Sequence, residues 1–510
     1  MKRKLENATK DVKKSQDTLL LKRLKDNANT LYGKEHKLGE IKNREEYVMS
    51  HLLTRISQYE PYIQKMLQTK ECENILTAKK PIQFAVTSGT SGKSSILPMT
   101  GEQRLAFFTQ GIAIVYESLL QAYPENKQIQ KSLKFFYTPK WRQSEGGLPI
   151  GPNSSSPTNS KSLLSVYSTP RPGFEILSEP EALYIHLLFG MKDKYIGMLE
   201  ANFASIILIA FKALELQYES IIKDIEFGRV NPDLKISEEV REELNKCLSP
   251  DKKRAAELRD AFKGGIMGLA RRIWPKCHTI LAADTGVFSL PASILLESYC
   301  KDITMYSPLY AASEGLLGVN IWPQDKPSKY MLVPNYMFFE FIPVENSEED
   351  QPKTLFMDQV ELGKEYELVI TNAGGLYRYR FGDVIKVSGF HNQCPVIEFM
   401  YRQGQFLNVR GEKTSERTFY SILMKASTTW EGTKVFDYCC AESFLIDDKG
   451  DSFRKKGSIQ KMRVYTVKPG TFQGLRQFAI ETTSASANQY KTPRAVKTRE
   501  AAAFLMNNVM

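Results

Sequence analysis

The sequence has few histidines and cysteines, no long apolar run and no dense basic block, and each shortage argues against a class of function. The five histidines show no metal-ligand spacing. The seven cysteines, Cys72, Cys247, Cys277, Cys300, Cys394, Cys439 and Cys440, are scattered, odd in number and without a C-x-x-C pair. That argues against a disulfide or zinc framework and predicts reduced thiols in a cytoplasmic protein. The most apolar stretch, residues 201–211 between Glu200 and Lys212, is too short to span a bilayer; it reads as a buried helix, and no integral membrane segment is expected. The opening MKRKLENATKDVKK lacks the apolar core of a signal peptide. No Lys/Arg block is dense enough to point to nucleic acid, and no internal repeat stands out.

What remains is an ordinary globular balance, 42% hydrophobic and 25% charged over 510 residues, long enough for roughly two to four domains and a large core. The net charge of +11, from 69 basic and 58 acidic residues, suits an anionic substrate, but plain solubility is the better account of so modest a value in so long a chain.

The chain is organised around residues 81–100, PIQFAVTSGTSGKSSILPMT, which read as strand, small-residue loop and strand. The loop Thr87-Ser88-Gly89-Thr90-Ser91-Gly92-Lys93 has two glycines, four hydroxyls and one lysine. Such a loop can bring backbone N–H groups, hydroxyls and a cation against a polyphosphate. A P-loop is the first alternative, but its leading glycine should fall at Thr87, and Pro98 would interrupt the helix a P-loop opens. A ligand-free surface hairpin is the other.

Before this loop, residues 10–53 have helical spacing and Tyr59-Glu60-Pro61-Tyr62 marks a turn. After it, Thr100 with Gln103 forms a capping box that opens a helix to Leu120. Residues 143–172 read as one long loop, 181–226 as a helix pair and 237–269 as charged helix. From Ile273 the texture alternates: strand at 279–283, helix at 290–300, strand at 303–306, an α/β layer with parallel strands. The segment after the last strand, Ser307 to Gly315, makes Tyr310 and Glu314 candidates by position, because ligands collect at the carboxyl ends of such strands. Residues 329–399 read as antiparallel. Within them, alternation puts Tyr377, Tyr379 and Phe381 on one face and Arg378 and Arg380 on the other. Asp383 follows Gly382, where a backbone can approach a ligand; the alternative is a surface ladder of arginines ending in an Asp turn. Residues 399–413 have the composition of a hinge, and beyond them lie a helix at 415–425 and strands at 436–446 and 460–467. Lys491, in NQYKTPR, reads by itself as a solvated side chain.

Taken together and in order, these segments resemble the acyl-acid amido synthetases, the auxin- and jasmonate-conjugating enzymes, within the adenylate-forming superfamily. The resemblance runs from LLLKRLKDNANTLYGKEHKLGEI through TSGTSGK, YAASEG, LYRYRFGDVIKVSGFHN, GEKTSE and NQYKTPR. It implies a mixed α/β fold. A large N-terminal adenylate-forming domain, with α/β layers and an antiparallel β subdomain, would span residues 1–400; a hinge would follow at 401–413 and a small mobile α+β domain at 414–510. Ser88, Gly89, Thr90, Ser91, Gly92 and Lys93 match the phosphate-binding loop. Tyr310 would lie against adenine with Ser313 beside it, Glu314 would hold Mg²⁺, Asp383 would take the ribose hydroxyls and Arg402 would assist it. Lys413 and Lys491 are both candidates for the α-phosphate. The chain departs from many relatives at Ser94-Ser95, where they carry a second basic residue, and its C-terminal domain is short.

The implied reaction uses ATP and Mg²⁺ to convert a carboxylic acid to an acyl-adenylate with release of pyrophosphate, then transfers the acyl group to an amino acid. The implied enzyme is a monomer acting on small molecules. Thioester formation with coenzyme A and a non-catalytic nucleotide-binding relative are the alternatives.

Overall fold

The structure, a computed structural model, describes residues 2–87, 95–127, 131–136, 139–153, 164–403, 407–409, 412–414, 416–430, 435–441, 463–482 and 490–510, with the backbone alone at 164, 407–409, 412–414 and 416–417. Its frame is mixed α/β. An eight-stranded sheet runs in the order Leu355–Phe356, Phe338–Pro343, Glu365–Thr371, Tyr379–His391, Cys394–Arg402, Tyr330–Leu332, Gly315–Val319, Leu309–Ala312. Every pairing in it is antiparallel. A parallel sheet runs Lys131–Lys134, Ile196–Phe203, Thr279–Ala283, Thr304–Tyr306. A smaller sheet joins Ile96–Met99, Gln83–Val86, Pro149–Gly151 and Arg142–Gln143.

Two cores lie on opposite faces of the parallel sheet. Met198, Leu281 and Tyr306 enter the core shared with the antiparallel sheet; Leu199, Ile280 and Met305 enter the other, with helices Glu179–Lys192, Ala204–Phe227, Lys252–Lys263 and Ser289–Glu297. A small third core near the C-terminus holds Leu475, Val496, Ala502 and Leu505.

Several sequence expectations need correction. The 181–226 helix pair is divided by the strand Ile196–Phe203. Ile196 to Glu200 are buried on both faces, so the strand lacks the alternation that would mark it off from a buried helix. The 10–53 stretch divides into Val12–Asp26, Leu31–Glu35 and Arg44–Ser50, capped by the side chains of Asp11, Thr30 and Asn43. Tyr59-Glu60-Pro61-Tyr62 is not a turn; it lies inside the helix Ile56–Gln68. Pro61 removes one N–H from that helix, and burial of Tyr59, Ile63 and Met66 outweighs the loss. The 143–172 stretch is not one loop: Pro149–Gly151 pairs in parallel with Gln83–Val86.

The helix opened by Thr100 and Gln103 has both capping-box bonds and runs on to Ala122, with a π-helical segment at Phe107–Ile112. Length and composition alone would let Gly101–Ala122 cross a membrane; here Ile114, Val115 and Leu119 pack into the first core.

Candidate functional site

The glycine- and hydroxyl-rich loop is carried by a hairpin. Gln83–Val86 and Ile96–Met99 pair antiparallel up to Val86 opposite Ile96. At its mouth the Thr87 N–H donates to the Ser95 carbonyl at 2.9 Å and the Ser95 N–H to Thr87 Oγ1 at 2.8 Å. The segment after the loop is therefore a strand, which excludes the P-loop, whose following segment must be a helix. Ser88, Gly89, Thr90, Ser91, Gly92 and Lys93 themselves lie outside the described residues.

Glu314 sits with Ser313 at the turn between Leu309–Ala312 and Gly315–Val319. The turn is clamped from two elements: the Glu314 carbonyl accepts from Gln103 Nε2 at 3.1 Å and from Asn372 Nδ2 at 2.8 Å. Asn372 is in turn fixed by the N–H groups of Gly374 and Leu376, which donate to its Oδ1. Gly315 takes φ +139°, and a Cβ there would stand 3.1 Å from the Tyr336 hydroxyl, so this side of the turn is closely packed. The Glu314 side chain is buried. Burial raises its carboxyl pKa, and the negative charge of Asp383 adds to the rise; the positive charges of Arg402 and Lys491 oppose it.

Asp383 lies directly opposite Arg402 across the strands Tyr379–His391 and Cys394–Arg402. Arg402 Nη1 donates to its Oδ1 at 2.9 Å and the Tyr310 hydroxyl to its Oδ2 at 2.8 Å. The Arg402 guanidinium also lies 5.1 Å over the Phe381 ring. Burial would lower the Arg402 pKa, but Asp383 and Glu314 reverse that and leave it raised. A carboxylate has about four acceptor positions, so with these two bonds Asp383 can still accept from a pair of ligand hydroxyls. Gly382 takes φ +86°, and no described heavy atom lies within 4 Å of where its Cβ would be, so the backbone beside the carboxylate is open.

The two candidate lysines differ in placement. Lys491 Nζ lies 5.5 Å from the Phe203 ring centre and 5.4 Å from that of Phe288, and the two rings stack at 4.2 Å. Lys413 pairs with Asn408 in the hairpin Leu407–Val409 and Glu412–Thr414; its side chain lies outside the described atoms.

The structure thus brings Tyr310, Glu314, Asp383 and Arg402 together, with Lys491 near enough to act on Glu314 electrostatically. It does not place Arg378 and Arg380 on a surface ladder. Arg378 Nη2 meets Glu340 Oε1 at 2.8 Å and Arg380 Nη2 meets Glu367 Oε2 at 2.6 Å, with all four side chains buried. Sequence reasoning missed Gln103 and Asn372 as supports of the turn. Gln103 was legible only as a capping residue, and Asn372 carried a turn signal in TNAGG.

Residues 1–305 match the GH3 family N-terminal domain, 330–402 the GH3 family central domain and 406–500 the GH3 family C-terminal domain. A GH3 domain-containing protein of Homo sapiens is 31% identical over 458 residues, covering 82% of this chain and 79% of its own length. An Arabidopsis thaliana protein, indole-3-acetic acid-amido synthetase GH3.6, is 28% identical over 561 aligned residues, covering 97% and 90%. Among solved structures, GH3.15 acyl acid amido synthetase superposes with a TM-score of 0.86 at 24% identity, over 99% of this chain and 95% of that one. The same enzyme in complex with 2,4-DB gives 0.82 at 25%, over 100% and 95%. With three domain models matched in order and a shared fold from end to end, the chain belongs to the GH3 family, the acyl-acid amido synthetase family that its motifs resemble.

Proposed function

We propose that this protein is an ATP-dependent acyl-acid amido synthetase that works through an acyl-adenylate. The observation that carries the reading is the convergence of Tyr310, Glu314, Asp383 and Arg402, from three separated segments, on one buried cluster with open acceptor positions. The amido synthetases among its relatives support the same reading.

In this reading the two open acceptor positions of Asp383 take the ribose hydroxyls, Arg402 and the Tyr310 hydroxyl hold that carboxylate in place, and the Tyr310 ring lies by the adenine. Ser88 to Lys93 cradle the phosphates, and Lys491 or Lys413 faces the α-phosphate. Among the described residues no three His, Cys, Asp or Glu side chains gather into a metal cage. One buried carboxylate still fits Mg²⁺, which takes most of its ligands from phosphates and water. Glu314 would hold it, and its charge would neutralise the polyphosphate. An acid oxygen attacks the α-phosphorus and pyrophosphate leaves; the amine of an amino acid then attacks the acyl carbon and AMP leaves. Positioning and charge neutralisation provide the catalysis.

The test is an acid-by-amine screen of the full chain with ATP and Mg²⁺, following pyrophosphate and AMP, with a parallel arm containing coenzyme A. Amide product with amino acids is expected. Turnover only with the thiol would replace amide synthesis by thioester formation, and Asp383→Ala with undiminished activity on every acid would remove the site assignment.

A further inference from the structure

A cavity of about 620 Å³ lies between the N-terminal helices and the helix Gly101–Ala122. That volume is within the range of small-molecule sites, about 300–1,000 Å³. The helices Lys2–Thr9 and Val12–Asp26, the early turns of Gly101–Ala122 and the turn at Asn335-Tyr336 line it. Tyr310, Glu314, Asp383 and Arg402 have no part in the lining.

The charge of this lining is of one sign and is unmatched. Lys4, Lys14 and Lys22 are exposed at its mouth, and among the described residues none of the three ammonium groups meets a carboxylate. The one acid in the lining, Glu102, is already held from outside it, by Arg23 Nη1 at 3.3 Å and Lys79 Nζ at 3.7 Å. Lys14, Thr18 and Lys22 recur at a spacing of four, so they share one face of their helix. Lys14 and Lys22 are therefore about 12 Å apart along its axis.

The deeper part of the lining carries polar atoms with nothing to bond. Among the described residues, Gln110 Oε1, Asn335 Oδ1 and the Tyr336 hydroxyl are buried and have no hydrogen-bond partner, and all three residues line the cavity. Tyr336 is 2% exposed. A buried acceptor without a donor costs free energy, which a ligand hydroxyl would recover. Water would satisfy the acceptors but leave the lysines without counter-charge. Gln110 also lies in the π-helical segment Phe107–Ile112, and such segments recur at functional sites.

We propose that this cavity binds a hydroxylated organic polyanion of the sugar-bisphosphate class, at a site separate from the nucleotide cluster. Lys14 and Lys22 take its two anionic groups, and Lys4 adds charge from the neighbouring helix. Its hydroxyls donate to the Gln110 and Asn335 oxygens. The inference goes beyond the adenylation reading and uses none of the residues placed there.

The test is calorimetry on the full chain, without ATP or acid, with fructose 1,6-bisphosphate, inorganic phosphate and fructose as probes. Saturable binding of the bisphosphate is expected, with inorganic phosphate about tenfold weaker or more and fructose undetected. Lys14→Gln and Lys22→Gln should each weaken the bisphosphate about tenfold, the size of one hydrogen bond to a charged group. Gln110→Leu should weaken the bisphosphate and leave inorganic phosphate unchanged. Lys25→Gln, exposed on the same helix but outside the lining, should change nothing. The lysine variants lie on the surface and should keep the wild-type melting temperature, which separates lost binding from lost fold. Saturating AMP should leave the bisphosphate Kd as it was. No binding by the wild type, inorganic phosphate as tight as the bisphosphate, an equal loss in Lys25→Gln, or displacement by AMP would each overturn the inference. Acid-dependent pyrophosphate release tests the adenylation reading separately and is untouched by any of these results.

Discussion

Tyr310 and Arg402 hold the two oxygens of Asp383 separately, the phenol at 2.8 Å on one and the guanidinium at 2.9 Å on the other. The carboxylate is thereby fixed in rotation while its outer lone pairs stay available. Tyr310→Phe removes one of these bonds without emptying the ring's place among Tyr330, Phe381 and Phe399. A bond to a charged group is worth roughly 1.5–3 kcal/mol, so AMP affinity and acid-dependent pyrophosphate release should fall about tenfold or more with little loss of thermal stability. Isothermal calorimetry with AMP and a melting curve on the same sample check it.

Glu314 gives a pH signature. Its folded pKa is raised by burial first, with Asp383 contributing, so ionising it opposes folding. Below the unfolded carboxyl pKa both states are protonated and there is no penalty. The penalty develops as pH rises through that value and is complete above the folded pKa. Glu314→Gln is therefore expected to be more stable than wild type at neutral pH, with the gap closing toward pH 4, and to have lost Mg²⁺-dependent adenylation. Thermal denaturation of both proteins across that range, without nucleotide, measures the gap; a gap that widened on acidification would refute it.

The Arg378–Glu340 pair has a structural role and should behave accordingly. Arg378 also donates to the Val48 and His51 carbonyls and to Thr354, tying the N-terminal helices to the sheet. Removing one partner leaves an uncompensated buried charge and costs about 3–5 kcal/mol. Glu340→Gln should show this as a lowered urea midpoint, with unchanged KM for ATP in the fraction that remains folded.

Lys491 is the described lysine whose charge reaches Glu314. Lys491→Ala is expected to slow acid-dependent pyrophosphate release about 10²–10³-fold, the size of one lost electrostatic stabiliser, and Lys491→Arg to recover part of it. Unchanged release in a folded Lys491→Ala would move the role to Lys413.

The parts of this molecule legible in sequence were those with a short-range signature. The Thr100–Gln103 capping box, the strands at 279–283 and 303–306 and the antiparallel run at 329–399 follow from local chemistry and periodicity. Tyr310 and Glu314 stood out by their place after a parallel strand and Asp383 by the glycine before it, while Arg402 came only with motif order; no local rule brings positions 310 and 383 together. The strand Ile196–Phe203 was lost because burial on both faces erases alternation, and Pro61 misled because tertiary burial overrode a local breaker. Arg378 and Arg380 looked like surface charges because their partners, Glu340 and Glu367, are supplied by neighbouring strands.

The helix Gly101–Ala122 is tied to two other elements by side chains near its ends: Gln103 holds the Glu314 turn and Tyr116 bonds Glu200. Thirteen residues of helix separate them, about 20 Å of rod at roughly 1.5 Å each. Within that span the wider π-turns of Phe107–Ile112 break the regular ladder. The turn that carries Glu314 and the strand that carries Glu200 are therefore held about that distance apart by a single helix, each tied to it by a side-chain hydrogen bond.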